Sequence, residues 1–251
     1  MPESYAHFSM GCRVADRLPP DISKKIIPYR KMFFIGLHGP DIFFYYHPVI
    51  PNRITMTGYA MHGESPAAFI AHAKSVILSY RGQREKNMAF AYLCGFLCHY
   101  YLDRECHAVI HERGKYDPLY HFRAEKSLDK ALYHRDRLTG SARNKKDYHV
   151  IPTAKSCGII SDMYEDISPK QVYRAAKGHR FYCELHHFTE RLFYSVFPER
   201  KGFSVKSADV MLMQELFDLS VDESIAMISA LESYIFRNGR APVFLVDFKG
   251  R

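Results

Sequence analysis

Tryptophan is absent from this sequence, although it carries 18 tyrosines and 18 phenylalanines. Glycine and proline are not enriched, which argues against long low-complexity or disordered stretches. No CxxC pair occurs among Cys12, Cys94, Cys98, Cys106, Cys157 and Cys183, so the paired spacing of a structural cysteine–zinc site is missing. No GxGxxG and no strand–helix alternation is present, which excludes a dinucleotide-binding α/β fold. No uncharged apolar run reaches the length of about 20 residues that a membrane span requires. The stretch Met1-Pro2-Glu3-Ser4-Tyr5-Ala6-His7 lacks a basic segment followed by an apolar one, so no export signal is read there. The expectation is a soluble, cytoplasmic protein with free thiols. The net charge is +8, but Lys and Arg are spread along the chain rather than clustered. A nucleic-acid partner is therefore not favoured, while an anionic group such as phosphate is compatible.

What is present is helical pattern, with 47% hydrophobic residues over 251 positions, enough for a sizeable core. The reading is an all-α, single-domain multi-helix bundle over residues 1–251. A short amphipathic helix is expected over about 4–18, ending at Pro19-Pro20. A second starts after Asp21 or at Pro28 and runs towards Phe34. Gly36-Leu37-His38-Gly39-Pro40-Asp41 reads as an irregular turn, Pro48 and Pro51 forbid a continuous helix, and 52–63 reads as an extended loop. Ser65-Pro66 opens a helix that Gly82 ends. Residues 85–108 give the strongest helical stretch, apolar on nearly every side and hence central and buried. Further helices are expected in the 120s and over 148–164, 168–197 and 220–237. Residues 138–147, with Arg143, Lys145 and Lys146, read as an exposed basic loop, 199–206 as a loop, and the tail from Arg240 as a short strand or a packed arm.

The polar residues of the central stretch carry the chemistry. His99, Asp103 and His107 are four apart, a spacing that stacks side chains on one helix face with Cβ atoms about 5–6 Å apart. Each costs desolvation inside an apolar helix unless it is paired or metal-bound. A hydrogen-bonded core pair would account for one His–Asp couple. A second couple, His121 and Glu125, together with His107, favours a metal-binding face, since imidazole nitrogen and carboxylate oxygen are ligands of hydrolytic zinc sites. His111 continues the series and competes with His107, although the break near Gly114 puts it at the periphery. His7, Asp41 and His62 offer further donors, each weak alone, with His38 and His47 as rivals. Asp41 after Gly39-Pro40 also fits plain turn chemistry. Cys94 and Cys98 are four apart, and Cys98 and Cys106 flank proposed ligands, but sequence neighbours point about 100° apart on a helix, so cysteine ligation is the lesser alternative.

The order Gly39-Pro40-Asp41-Ile42-Phe43-Phe44, Met61-His62, His99-x3-Asp103-x3-His107 and His121-x3-Glu125 resembles the zinc-dependent phospholipase C family, whose relatives include single-strand-specific zinc nucleases. The resemblance spans about residues 3–130. It implies an all-α fold with two or three zinc ions held between helices. It implies Asp41, His62, His99 and Asp103 at a first zinc and His107, His121 and Glu125 at a second. His7 would hold a third, with Asp103 bridging to it. Secreted members complete that third site with an amino-terminal Trp. This chain has no Trp, and its Asp103-to-His107 spacing is tighter than theirs. Whether the third site is weakly held, completed by another ligand or absent, and whether His107 or His111 is the ligand, stay open. The implied activity is hydrolysis of a phosphodiester, a phospholipid head group or a soluble ester, by a zinc-activated water with Asp41 as ligand and proton acceptor. Phe43, Phe44, Tyr45 and Tyr46 either line the mouth of such a site or pack in the core. The alternatives are a nuclease or other phosphoesterase on the same scaffold, and a non-catalytic zinc-binding helical protein.

Overall fold

A computed structural model describes residues 4–115, 117, 119–141, 150–196 and 205–250, with the backbone alone for residue 4 and residues 186–196. Among them are ten α-helices and no strand, the all-α class that the periodicity predicts. The helices are α1 (Ser4–Arg17), α2 (Pro20–Ile26), α3 (Arg30–Gly36), α4 (Arg53–His62), α5 (Ala67–Ser79), α6 (Gln83–Arg113), α7 (Tyr120–Leu138), α8 (Ala154–Met163), α9 (Pro169–Val196) and α10 (Ser207–Phe236). Short 3-10 turns fill Ile27–Tyr29 and Gly39–Tyr45. Arg143, Lys145, Lys146, the helix start expected at 148, most of the 199–206 loop and Met1-Pro2 lie outside the described residues. No described helix is long and apolar enough to cross a membrane.

The axis of the fold is α6. Every residue from Met88 to Asp103 is buried, because α1, α3, α5 and α10 pack around this helix. A helix enclosed on all sides needs no polar stripe, which is why its sequence is apolar nearly all round. The crossing of α3 over α6 depends on two glycines. A Cβ on Gly36 would lie 2.2 Å from the Tyr92 carbonyl oxygen, and one on Gly95 would lie 2.1 Å from the Phe33 carbonyl oxygen. The helices therefore touch backbone to backbone, and the chain leaving α3 comes down directly onto His99.

Several elements differ from the sequence reading. Residues 53–62 are helical rather than extended. Asn52 supplies the missing start signal: its side-chain oxygen accepts from the Thr55 amide at 3.0 Å, an N-cap worth about 1 kcal/mol. Its amide donates to the carbonyls of Tyr46 and Ile50, each at 2.8 Å, so one side chain clamps the Pro48–Pro51 turn and starts α4. The last long helix begins at Ser207, not at Ser220. Ser220 sits inside it, fully buried, and its hydroxyl donates back to the Leu216 carbonyl at 2.7 Å, a local bond that removes the need for a cap. Beyond α10 the tail is a packed arm rather than a strand, held by Ser65 Oγ donating to the Phe244 carbonyl at 3.3 Å and Tyr100 Oη donating to the Val246 carbonyl at 2.9 Å. Of the aromatic run, Phe43 and Tyr45 are core, while half-buried Phe44 packs between Tyr59 and His62.

Candidate metal centre

Five elements bring the polar residues to one face of α6. His99, Asp103 and His107 descend that face, Asp41 comes from the 3-10 turn after α3, and His62 is the last residue of α4. His7 comes from α1, and His121 and Glu125 from α7. The seat of α1 is fixed by α7. The Asp129 carboxylate accepts from the backbone amides of Tyr5 at 3.0 Å and Ala6 at 2.9 Å, capping α1 from another helix. Asp136 accepts from Tyr5 Oη, Ser9 Oγ and Arg13 Nη2 at 2.6–2.7 Å. These bonds satisfy amides that a helix start leaves orphaned and point His7 at Asp103.

The first group is Asp41, His62, His99 and Asp103. His62 Nε2 lies 2.9 Å from Asp41 Oδ1 and 3.7 Å from Asp103 Oδ2, and His99 Nε2 lies 3.2 Å from Asp103 Oδ2 and 3.9 Å from Asp41 Oδ1. Donors placed tetrahedrally on a zinc with bonds of about 2.0–2.1 Å sit about 3.4 Å apart, so these spacings fit one ion. The tautomers fit as well. Nδ1 of His62 donates to the Gly58 carbonyl at 2.7 Å, and Nδ1 of His99 donates to the Leu37 carbonyl at 3.2 Å. A carbonyl only accepts, so each Nδ1 holds a proton, and each ring when neutral turns a lone pair on Nε2 inward. Burial lowers the pKa of His99 to about 4, against the pull of Asp103 and Asp41. At neutral pH its Nε2 lone pair therefore faces the Asp103 oxygen with no proton between them. Neither His99 Nε2 nor Asp103 Oδ2 has a hydrogen-bond partner among the described residues. Two buried acceptors pointing at each other are unfavourable unless a cation lies between them.

Asp103 faces two ways. Its Oδ1 lies 3.3 Å from His7 Nε2 while Oδ2 serves the first group, and the His7 and His99 rings stack at 4.4 Å. Donor atoms of His7, His99 and Asp103 form a second close set. The third set is His107, His121 and Glu125. Glu125 Oε1 lies 3.0 Å from His107 Nε2 and 2.7 Å from His121 Nε2. His111 stands beside this set, exposed, its ring 5.9 Å from His107 and 5.6 Å from His121. Burial alone would raise all three carboxyls, but neighbouring histidines outweigh it. His99 and His62 hold Asp41 below its ordinary value, His99, His107 and His7 hold Asp103 well below, and His107 and His121 hold Glu125 far below.

The rivals go elsewhere. His38 is buried against His179 at 4.4 Å, and His47 is exposed on the turn with a φ of 50°. Burial pushes the Cys98 thiol up to about 12 and Cys94 well above its usual value, so neither offers a thiolate, and no cysteine enters the three donor sets.

Gly39 gives the tightest local constraint. It has a φ of 47°, and a Cβ there would meet His99 Cδ2 at 2.4 Å. Gly39→Ala is expected to lower stability by about 2–3 kcal/mol in chemical denaturation and to reduce the zinc retained after dialysis. Wild-type values for both would show that the close approach is dispensable.

The sequence reading missed three contributors: Asp129 and Asp136, which seat α1, and Phe248, whose ring packs 5.0 Å from His62 and 5.9 Å from His99. Each acts across more than a hundred residues of sequence, where no local pattern could announce it. A protein-family model described as zinc dependent phospholipase C matches residues 6–188, a range that takes in every candidate ligand from His7 to Glu125. No curated protein and no solved structure matches the chain.

Proposed function

Because the chain belongs to the zinc-dependent phospholipase C family, we propose that it hydrolyses phosphodiester bonds at a zinc centre held by His7, Asp41, His62, His99, Asp103, His107, His121 and Glu125. The observation that carries this reading is the bare His99 Nε2 facing Asp103 Oδ2 inside the core, a contact that asks for a cation. Zinc bound there would polarise the phosphoryl oxygens and make a water acidic enough to attack phosphorus at neutral pH.

The chain's own residues set the conditions for that step. Asp41 is ionised through the neutral range, so it stands ready to accept the proton of the attacking water. Gly58 and Leu37 fix the two imidazoles through their Nδ1 atoms. Phe44 on one side of His62 and Phe248 on another keep water off the ring faces. Charge balance favours more than one ion at the centre. Asp41, Asp103 and Glu125 are three carboxylates, held ionised by their histidine neighbours, and a phosphodiester brings a further negative charge. With the histidines neutral, a single divalent ion leaves these carboxylates net negative, whereas two or three leave them net positive and suit an anionic substrate. The proposal is therefore two or three zinc ions.

Zinc per chain, measured by elemental mass spectrometry on purified protein, tests the centre. At least two are expected, and fewer than one would overturn the proposal. Phosphatidylcholine, single-stranded nucleic acid and bis(p-nitrophenyl) phosphate assayed side by side then separate a phospholipase from a nuclease. Zinc-loaded protein inert to all three would favour a binding role instead.

A further inference from the structure

After α10 ends, the chain returns across α6 as an arm over residues 238–250, beyond the family match that stops at residue 188. The arm alternates: Val243 and Leu245 point out, 71% and 86% exposed, while Phe244 and Val246 are half-buried and Phe244 packs against the core. It ends in a turn closed by Asp247, whose carboxylate accepts from the Lys249 amide at 2.8 Å and whose carbonyl accepts from the Gly250 amide at 3.2 Å. That turn drives Phe248 into the core, where it is fully buried. Phe96 and Tyr100 meet its ring edge-on at 5.6 and 5.0 Å. The His62 and His99 rings lie on it at 5.0 and 5.9 Å.

We infer that Phe248 is a positioning residue for the first zinc group, an inference that rests on the reading of that group as a zinc site. The hydrogen bonds from Nδ1 to Gly58 and Leu37 anchor one edge of each imidazole but leave each ring free to tip about that bond. Phe248 packs on both rings, and it is itself braced by two aromatic edges. With the ring planes held, the two Nε2 atoms converge with Asp41 and Asp103 without rearrangement, and water is kept from the lone pairs. Groups that orient metal ligands in this way are commonly worth about 10–100-fold in metal affinity. The family motif supplies the donors, and the arm supplies the wedge that sets their angle.

The test follows zinc release from the full, zinc-loaded chain into excess chromophoric chelator, with circular dichroism to confirm folding. In Phe248→Ala, zinc from the first group should leave about tenfold faster, while zinc at His107, His121 and Glu125 leaves at the wild-type rate. Because a Phe-to-Ala change opens a cavity and can unfold a protein, Tyr100→Phe serves as a second variant. It removes only the hydroxyl that holds the Val246 carbonyl, and it should speed the same release a few-fold. Wild-type release in the folded variants, or equal acceleration at every zinc, would overturn the inference. A wild-type chain that holds no zinc would instead overturn the proposed function, so the two failures are distinguishable.

Discussion

Asp103→Asn is expected to empty more than one metal position and to lower phosphodiester hydrolysis about a thousandfold, equivalent to about 4 kcal/mol of transition-state stabilisation. One oxygen of Asp103 faces His7 while the other faces His62 and His99, so one substitution removes a donor from two sets. An asparagine of the same size keeps one carbonyl oxygen but replaces the other with an amide that donates. It therefore cannot present an acceptor on both sides. His62→Ala is the control: it should lose one zinc, because His62 faces only the first group. Elemental analysis of the two variants decides the matter. If Asp103→Asn retained as much zinc as His62→Ala, the two-sided role of Asp103 would be wrong.

Zinc affinity at the His107, His121 and Glu125 set should rise steeply with pH. Burial lowers the pKa of His107, but Asp103 and Glu125 overcome it and push the value up to about 9 in the metal-free protein. Zinc binds only neutral imidazole, so below that pH it must expel a proton. One proton contributes up to about tenfold per pH unit well below that value and less near it, hence about fiftyfold between pH 7 and 9, with a plateau above. His62, raised by Asp41 against its burial, adds dependence of the same sign at the first group. His99, lowered to about 4, adds none near neutrality. The same shifts fix the sign for metal-free stability. The raised His107 contributes stability that is complete below its unfolded value of about 6.5 and is lost as pH climbs through about 9. The lowered His99 opposes folding as pH falls from about 6.5 towards 4. Competition titrations against a chelator of known protonation, run across pH 7–9, would measure the affinity slope. A flat profile would contradict a protonated His107 in the metal-free chain.

Much of the fold and the centre is legible in sequence because helices convert spacing into geometry. His99, Asp103 and His107 announce a common face, and His121 with Glu125 announces another. The apolar surroundings of α6 mark its polar residues as unusual on pattern alone. The type of the long helices is legible for the same reason. What stays hidden is of two kinds. Some signals are local but faint: Asn52 capping α4, and Thr153 capping α8 by accepting from the Ser156 amide, lie beside proline-rich or unpatterned stretches, where the period gives no support. Ser220 misleads because a serine that bonds its own helix backbone looks the same in sequence as one that starts a helix. The other kind is not local at all. Nothing near His62 or His99 in sequence points to Phe248. Nothing near His7 points to Asp129. The close approach of α3 to α6 is written in Gly36 and Gly95, but only their meeting gives those glycines a reason.

The tether of α1 to α7 bears on the order in which the molecule is made. Tyr5 and Ser9 are bound by Asp129 and Asp136, so α1 has no capped start until α7 exists. Closing so long a loop costs entropy before its contacts form, and a chain that emerges from the ribosome amino-terminus first offers the start of α1 no capping carboxylate for more than a hundred residues. His7 leaves the ribosome before every other candidate ligand, yet the carboxylates that seat its helix, Asp129 and Asp136, follow all of them.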